Sequence, residues 1–177
     1  MPQDNGTRFI FPADRDIRGT DYIQVVHMKD IRHAELAKVL VNHSCRVARG
    51  EKVLISGTDV PVEFLEAVVE EVYRAGGYPS VESTTERIKR AILNGADEQS
   101  LDAIADWEAF RMSQMDAFIG VRGFVNPKET SDLPQEKNQL YMKHIVEKVH
   151  RKVRIPNTKW VVLRYPTPGM AMMAGAS

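Results

Sequence analysis

The sequence predicts an α/β fold: an open, mostly parallel, Rossmann-like sheet of four to five strands with helices on both faces. Short apolar runs alternate along the chain with longer segments of helical periodicity. The clearest apolar run, residues 53–55, is compact, as is typical of a parallel strand buried on both faces. The segment order α, β, α, β, αα, β, α, β implies right-handed βαβ crossovers and therefore a parallel sheet.

The composition limits the classes of protein to which this chain can belong. Its 177 residues suit one domain that is large enough to bury a core. Lys plus Arg equals Asp plus Glu, 24 against 24, and this balance argues against a nucleic-acid or membrane partner. The sequence has no apolar run of membrane-spanning length and no secretion-signal pattern. The single cysteine, Cys45, favours a reducing, cytoplasmic location.

The N-terminal part differs from the rest of the chain. Residues 1–30 are interpreted as a partly irregular extension, because residues 1–21 are polar and carry no period. Residues 22–28 are apolar enough for a short strand. The α/β domain is therefore expected to span residues 31–177.

The first helix is predicted over residues 31–48. Asp30 is a suitable N-cap, and Gly50 is a suitable stop beyond its C-terminus. Its apolar positions fall on one side at helical spacing: Leu36, Ala37, Leu40, Val41, Val47 and Ala48. The strand at residues 53–55 follows, and residues 57–59 then turn the chain.

The second helix has the clearest pattern in the chain. Asp59 is expected to cap it, and Pro61 lies near the first turn, where no hydrogen-bond donor is lost. Its apolar face carries Phe64, Leu65, Val68, Val69 and Val72. The paired acids Glu70 and Glu71 are assigned to its solvated side or shoulder.

The remaining elements continue the alternation. Strands are predicted over residues 79–84, 117–121 and 159–163, and helices over residues 85–93, 100–115 and 134–151. Residues 170–174 then begin an apolar, helix-capable run after a Pro-rich turn. Because such a run normally continues into structure that buries it, we expect the chain to be the front part of a longer protein.

Ligands of an open parallel sheet collect beyond the carboxyl ends of the strands. Residues 56–59 resemble half of a nucleotide-binding turn, but G-x-G-x-x-G and G-x-x-x-x-G-K-[ST] are both absent, so a simple strand-to-helix turn is favoured. Arg122 and Arg164 each end a predicted strand. An arginine in that place can hold a carboxylate in a two-pronged contact, so these two are the ligand-facing candidates.

The histidines and the cysteine do not form a recognisable catalytic or metal motif. At about 100° per residue, His144 falls away from the buried face of its helix and His150 at its flank, which favours solvent-exposed side chains over a zinc site. His33 is expected to be a satisfied, partly buried histidine. Cys45 is placed mid-helix, where no helix N-terminus lowers its pKa. We assign no catalytic, cofactor-binding or metal residue in this chain.

A basic region surrounds the end of the long helix near residue 150. Cations at a helix C-terminus are favoured by the helix dipole, and the zero net charge of the chain favours this structural interpretation over an anion site. The region consists of Lys143, Lys148, Arg151, Lys152, Arg154 and Lys159.

Several segments together resemble the thermophilic metalloaminopeptidases, the aminopeptidase T and aminopeptidase S family. The matching segments are residues 50–55, 72–79, 107–109, 116–119, 126–127 and 164–168. The last of them, Arg164-Tyr165-Pro166-Thr167-Pro168, is the most specific. Their shared order covers residues 34–177, and nothing is carried over to the first thirty residues.

The resemblance implies a two-part enzyme in which this chain is the N-terminal α/β domain. A second, catalytic domain would supply the acidic, histidine and tyrosine ligands of two divalent metal ions (zinc, cobalt or magnesium). Such a pair binds the free amine of a peptide, polarises the scissile carbonyl and activates water. The resemblance also implies a homodimer, and this chain alone should be inactive.

Two alternatives stay open beside the aminopeptidase interpretation. One is a stand-alone α/β module that binds a nucleotide or a small carboxylate at the carboxyl ends of its strands. The other is a purely structural dimerisation domain.

Overall fold

The computed structural model describes residues 30–126 and 128–175. The strand expected over residues 22–28 lies outside these ranges. The chain divides into the units 1–30 and 31–177, and every element below belongs to the second unit. Within the described ranges, no helix is both long and apolar enough to cross a membrane.

In the described part of the chain, four parallel strands form one sheet in the order β2-β1-β3-β4. Their bounds are β1 (Lys52–Thr58), β2 (Tyr78–Thr84), β3 (Ala117–Arg122) and β4 (Lys159–Arg164). This confirms the predicted open parallel α/β fold. The strand order reverses between β1 and β3, so the topological switch point lies at the carboxyl ends of these two strands.

The helices of the described ranges connect the strands and cover both faces of the sheet. They are α1 (Ile31–Lys38), α2 (Val62–Arg74), α3 (Glu86–Gly95), α4 (Glu98–Ser113), α5 (Gln135–Tyr141), α6 (Ile155–Asn157) and α7 (Pro168–Met173). Two of them continue in π-helical geometry. Val39–Ser44 extends α1, and Met142–Arg154, which we call the long π segment, joins α5 to α6.

The first core lies between the sheet and the layer formed by α1 and α2. Val53 and Ile55 of β1 point to this side, as do Ile119 and Val121 of β3, because alternate residues of a strand share a face. The predicted apolar face of α2 packs on them, and Phe64 is fully buried. Burial of each such side chain stabilises the fold by about 1.5–3 kcal/mol.

The second face of the sheet is covered by α3, α4, α5 and the long π segment. Leu54 and Phe118 point to this side and pack with Ala105 and Met112 of α4 and Val149 of the π segment. A separate cluster at the outer end of this layer contains Leu93, Ala96, Leu101 and Leu133. The two clusters are distinct, and a cavity lies between them.

The first helix is shorter than predicted. It ends at Ser44 with Cys45 as its C-cap, and Arg46 adopts the left-handed region with a φ of 48°. The amide of Val47 then donates to the carbonyl of Val41 at 2.9 Å and closes the turn. The prediction of a helix through residue 48 followed the apolar spacing of Val47, which is buried from a loop instead.

Asp59 does not cap α2, contrary to the prediction. The N-cap is Pro61, which has no capping side chain. Asp59 adopts a φ of 51°, and its Oδ2 accepts a hydrogen bond from the amide of Glu86 at 3.2 Å. The carboxylate of Asp59 therefore bonds the N-terminus of α3 and not that of α2, the helix that follows it in the chain.

Gly123→Ala should destabilise the domain by about 1–3 kcal/mol, because overpacking at a close backbone approach is costly. A Cβ at Gly123 would overlap the carbonyl oxygen of Asp59 and approach Cγ2 of Thr167 to 2.8 Å. Gly95→Ala is the matched control, since a Cβ at the end of α3 meets nothing within 4 Å. Urea unfolding should show Gly95→Ala unchanged or more stable. Equal stability of the two variants would contradict the packing described here.

Candidate functional site

An open cavity of about 500 Å³ lies in the second layer, between the sheet and the helices that cover it. Residues of three strands form its floor: Ser56, Thr58, Thr84, Phe118, Gly120 and Arg122. Thr58 pairs in register with Thr84 on one side and with Arg122 on the other. The cavity therefore reaches the carboxyl ends of β1, β2 and β3, where ligands bind in sheets of this kind.

The walls of the cavity are largely apolar. They are contributed by α3, α4 and the long π segment, through Ile92, Leu93, Leu101, Ile104, Met112 and Val149. Gly120 on the floor leaves room for the Phe118 ring, because a Cβ at this position would come within 2.8 Å of that ring. A pocket with apolar walls and a few convergent polar groups is the usual form of a small-molecule site.

Two ion-pair groups stand on the cavity wall. Arg111 of α4 pairs with Glu82 of β2 and, at 2.5 Å, with Glu108. Lys89 pairs with Glu86 of α3 at 3.1 Å. Each of these carboxylates is therefore held by a cation, and none is available as an isolated acid.

The two ligand-facing candidates lie in different environments. Arg122 lines the cavity, although it is exposed to solvent. Arg164 is its register partner on β4, but its guanidinium carbon lies 5.0 Å from the ring centroid of Phe124 and it does not line the cavity. Of the two, the structure brings only Arg122 to this site.

Arg154, which belongs to the basic region, does not line the cavity but packs against one of its floor residues, Phe118. It is only 7% exposed, and its Nε and Nη1 atoms have no hydrogen-bond partner among the described residues. Its guanidinium carbon lies 4.9 Å from the ring centroid of Phe118, on the cavity floor, and 5.3 Å from that of Trp160. Burial, and secondly the charge of Arg122, lower the pKa of Arg154.

Four other cations of the basic region are held in ion pairs. Lys148 pairs with Asp102 at 2.7 Å, Arg151 with Glu147 at 3.1 Å, and Lys159 with Glu51 at 2.6 Å. Lys143 pairs with Glu98. The prediction treated the region as one unit, whereas Arg154 differs from these four cations because it is buried and stacks on aromatic rings.

His150 lines the cavity, and its buried Nδ1 has no hydrogen-bond partner within the described ranges. Burial lowers the pKa of His150 to about 4, and the charges of Arg154 and Arg122 add to the effect. The imidazole is therefore neutral near pH 7. A neutral ring can donate from one nitrogen and accept at the other.

The prediction that His144 is exposed was wrong. It is 5% exposed, and its Nδ1 lies 2.9 Å from Oδ1 of Asp102. The prediction assumed α-helical spacing, whereas the long π segment makes i→i+5 hydrogen bonds. The buried residues of this segment, His144, Val149 and Arg154, accordingly recur every five positions.

Three further sequence expectations have clear outcomes. His33 shares a 2.6 Å hydrogen bond with the hydroxyl of Tyr165, which confirms a satisfied, partly buried histidine. Cys45 lies just after the first helix rather than within it, and burial raises the pKa of its thiol to about 11. Glu71 is buried, not solvated, because Asn42 donates to it at 2.6 Å and Arg74 pairs with it.

Within the described ranges, no three His, Cys, Asp or Glu side chains are grouped so that they could hold a metal ion. At the N-terminus of α3, two backbone amides are already bonded to side chains. The amide of Glu86 at the start of α3 is already bonded to Asp59, and that of Ile88 donates to Oγ1 of Thr85 at 3.2 Å.

Two comparisons relate this chain to known proteins. A family model described as thermophilic metalloprotease (M29) matches residues 29–175. Wild-type AmpT from Thermus thermophilus has a similar fold, with a TM-score of 0.61 and 22% identity over 78% of this chain. The chain spans 37% of the length of AmpT.

A second solved structure is much less similar. The CurK enoyl reductase matches with a TM-score of 0.34 and 12% identity, over 80% of this chain and 44% of that one, and supports no further argument. A search of curated proteins found no match.

Acidification should destabilise the domain partly through His150. The unfolded imidazole takes up a proton near pH 6.5 and the folded one only near 4. In that window the unfolded state binds more protons, so the free energy of unfolding falls as the pH falls. His150→Gln should therefore lose less stability than the parent between about pH 7 and about pH 5 in urea unfolding. His43→Gln, at an exposed histidine, is the control and should lose as much as the parent; an equal loss in both variants would contradict a buried neutral His150.

Proposed function

Because the chain belongs to the thermophilic metalloprotease (M29) family, we propose that it is the N-terminal α/β domain of a metal-dependent aminopeptidase, which removes N-terminal amino acids from peptides. The observation that carries the proposal is the family match over residues 29–175. The similarity in fold to AmpT, of which the chain spans 37%, is consistent with one domain of a longer protein.

We propose that the ligands of two divalent metal ions, zinc, cobalt or magnesium, belong to a second domain. When bound, such a pair polarises the scissile carbonyl and activates water. The described residues do not fit this role, because the carboxylates at the cavity, Glu82, Glu86 and Glu108, are each held by Arg111 or Lys89. The proposal therefore gives the described side chains no step of the reaction.

In the enzyme, the role of this domain would be to support assembly and to shape access to the metal centre. We propose a cytoplasmic homodimer whose substrate is a peptide. The exposed aromatic pair of α4, Trp107 and Phe110, has its ring centroids 6.1 Å apart and offers an apolar surface to an interface. Aromatic side chains of this kind are enriched where proteins associate.

The purified chain should not hydrolyse an aminoacyl chromogenic substrate in the presence of cobalt, zinc or magnesium. The physical reason is that the proposed metal ligands lie in the second domain. The measurement is the release of chromophore above a blank that contains metal and no protein. The same assay on the chain extended along its downstream reading frame is the positive control, and a chelator should abolish its activity. Robust turnover by the chain alone would refute the proposal that the metal ligands lie in a second domain. An inactive extended protein would refute the peptidase assignment.

A further inference from the structure

Thr58 is a buried polar side chain that lines the cavity. It is only 3% exposed, and its hydroxyl has no hydrogen bond with a described residue. Alternate residues of a strand share a face, so Thr58 points with Leu54 into the second layer, where the cavity lies. Buried hydroxyl groups are normally hydrogen-bonded, and the cavity is the space from which a partner can reach this one.

Two further hydroxyl groups lie on the cavity floor with that of Thr58. Thr84 is its register partner on β2, and Ser56 precedes it by two residues on the same face of β1. Neither hydroxyl bonds a described residue. Because neighbouring strands are about 4.8 Å apart, Thr58 and Thr84 can engage two adjacent atoms of one head group. A hydroxyl both donates and accepts, so a head group with one donor and one acceptor is complementary to this pair.

The charges that line the cavity balance one another. Among the described residues, three cations and three carboxylates line it: Lys89, Arg111, Arg122, Glu82, Glu86 and Glu108. Lys89 pairs with Glu86, Arg111 pairs with the other two carboxylates, and Arg122 is exposed to solvent. His150 also lines the cavity and is neutral near pH 7. A charged ligand would bring an unbalanced charge out of water, so the site favours an uncharged one.

The walls of the cavity define the rest of the ligand. Most of their apolar surface comes from aliphatic side chains and one methionine: Ile92, Leu93, Leu101, Ile104, Met112, Ile145 and Val149. The Phe118 ring is 4% exposed and already carries the guanidinium of Arg154, so it offers little surface on which an aromatic base could stack. A cavity of about 500 Å³ has room for a body of several carbon atoms. An aliphatic body therefore fits these walls best.

We propose that the cavity binds an uncharged aliphatic carboxamide, its amide group held by the hydroxyls of Thr58 and Thr84 and its body packed against the walls. A carboxamide carries a donor and an acceptor side by side, which is the pattern that the two hydroxyls complement. Such a group occurs in a fatty-acid amide and in the backbone of an apolar peptide segment. The proposal stands apart from the peptidase assignment, since it rests on residues of this domain alone.

Isothermal titration calorimetry of the chain tests the charge of the ligand and its source. Octanamide should bind at least about tenfold more tightly than octanoate or octylammonium, because neither charge is balanced in the cavity. If a peptide segment is the source, N-acetyl-leucyl-leucinamide should bind more tightly than octanamide and than its own free acid. The proposal is wrong if a charged analogue binds as tightly as both amides, or if adenosine binds more tightly than either.

The double variant Thr58→Val with Thr84→Val should weaken the binding of the preferred amide about tenfold or more, because two hydrogen bonds are lost without a change of shape. Ser83→Ala is the control. Ser83 lies next to Thr84 on β2, but it points to the opposite face of the sheet and does not line the cavity. Its affinity should stay within about twofold of the parent. Equal losses in the two proteins would overturn the proposed position of the amide group.

Thermal unfolding of the double variant separates a ligand-binding role from a structural one. Its unfolding temperature should be unchanged or higher, since neither hydroxyl bonds a described residue and valine suits a strand. A less stable variant with unchanged affinity would show that the two hydroxyls are structural. Should the variant fail to fold, N,N-dimethyloctanamide decides, because it lacks the amide donor. If it binds the parent as tightly as octanamide does, the proposed pairing with the hydroxyls is refuted.

Discussion

The parallel pairing of β1 with β3 is the constraint from which the rest of the structure follows. Both strands are central, so their residues must serve two cores at once. Val53 and Ile55 enter the first core, and Leu54 enters the second. The same register sets Thr58 beside Arg122 at the carboxyl edge. A slip by one residue would exchange the two faces and bury Arg122 in the first core.

The first core is closed and apolar, whereas the second is interrupted by a cavity with charged groups at its rim. This difference comes from the helices. The face of α2 and the sheet form one continuous apolar cluster, while α3, α4 and the long π segment belong to two separate ones. Stability therefore comes mainly from one side of the sheet, and the other side retains the polar groups that a ligand needs. This division is what one expects of a scaffold domain that also carries a site.

The fold could be predicted from the sequence because buried parallel strands and an amphipathic helix leave strong local signals, residues 53–55 and α2 above all. The position of Arg122 could also be predicted, since it ends a strand. The burial of Arg154 and His144 could not, because the prediction assumed the α-helical period, and the π geometry moves every fifth residue inward. A search for buried positions at a spacing of five would have aligned His144, Val149 and Arg154. Asp59 escaped prediction for another reason, since its partner on α3 is remote in sequence.

The single cysteine of the chain lies in the closed core, where its Sγ is 3.7 Å from the carbonyl oxygen of Phe118 and burial raises its pKa. Because Cys45 is fully buried, a thiol-reactive reagent can reach it only when α1 and the sheet separate. Cys45 is therefore a natural reporter of local opening in the first core. The rate of chemical labelling at this one sulfur measures how often that core opens.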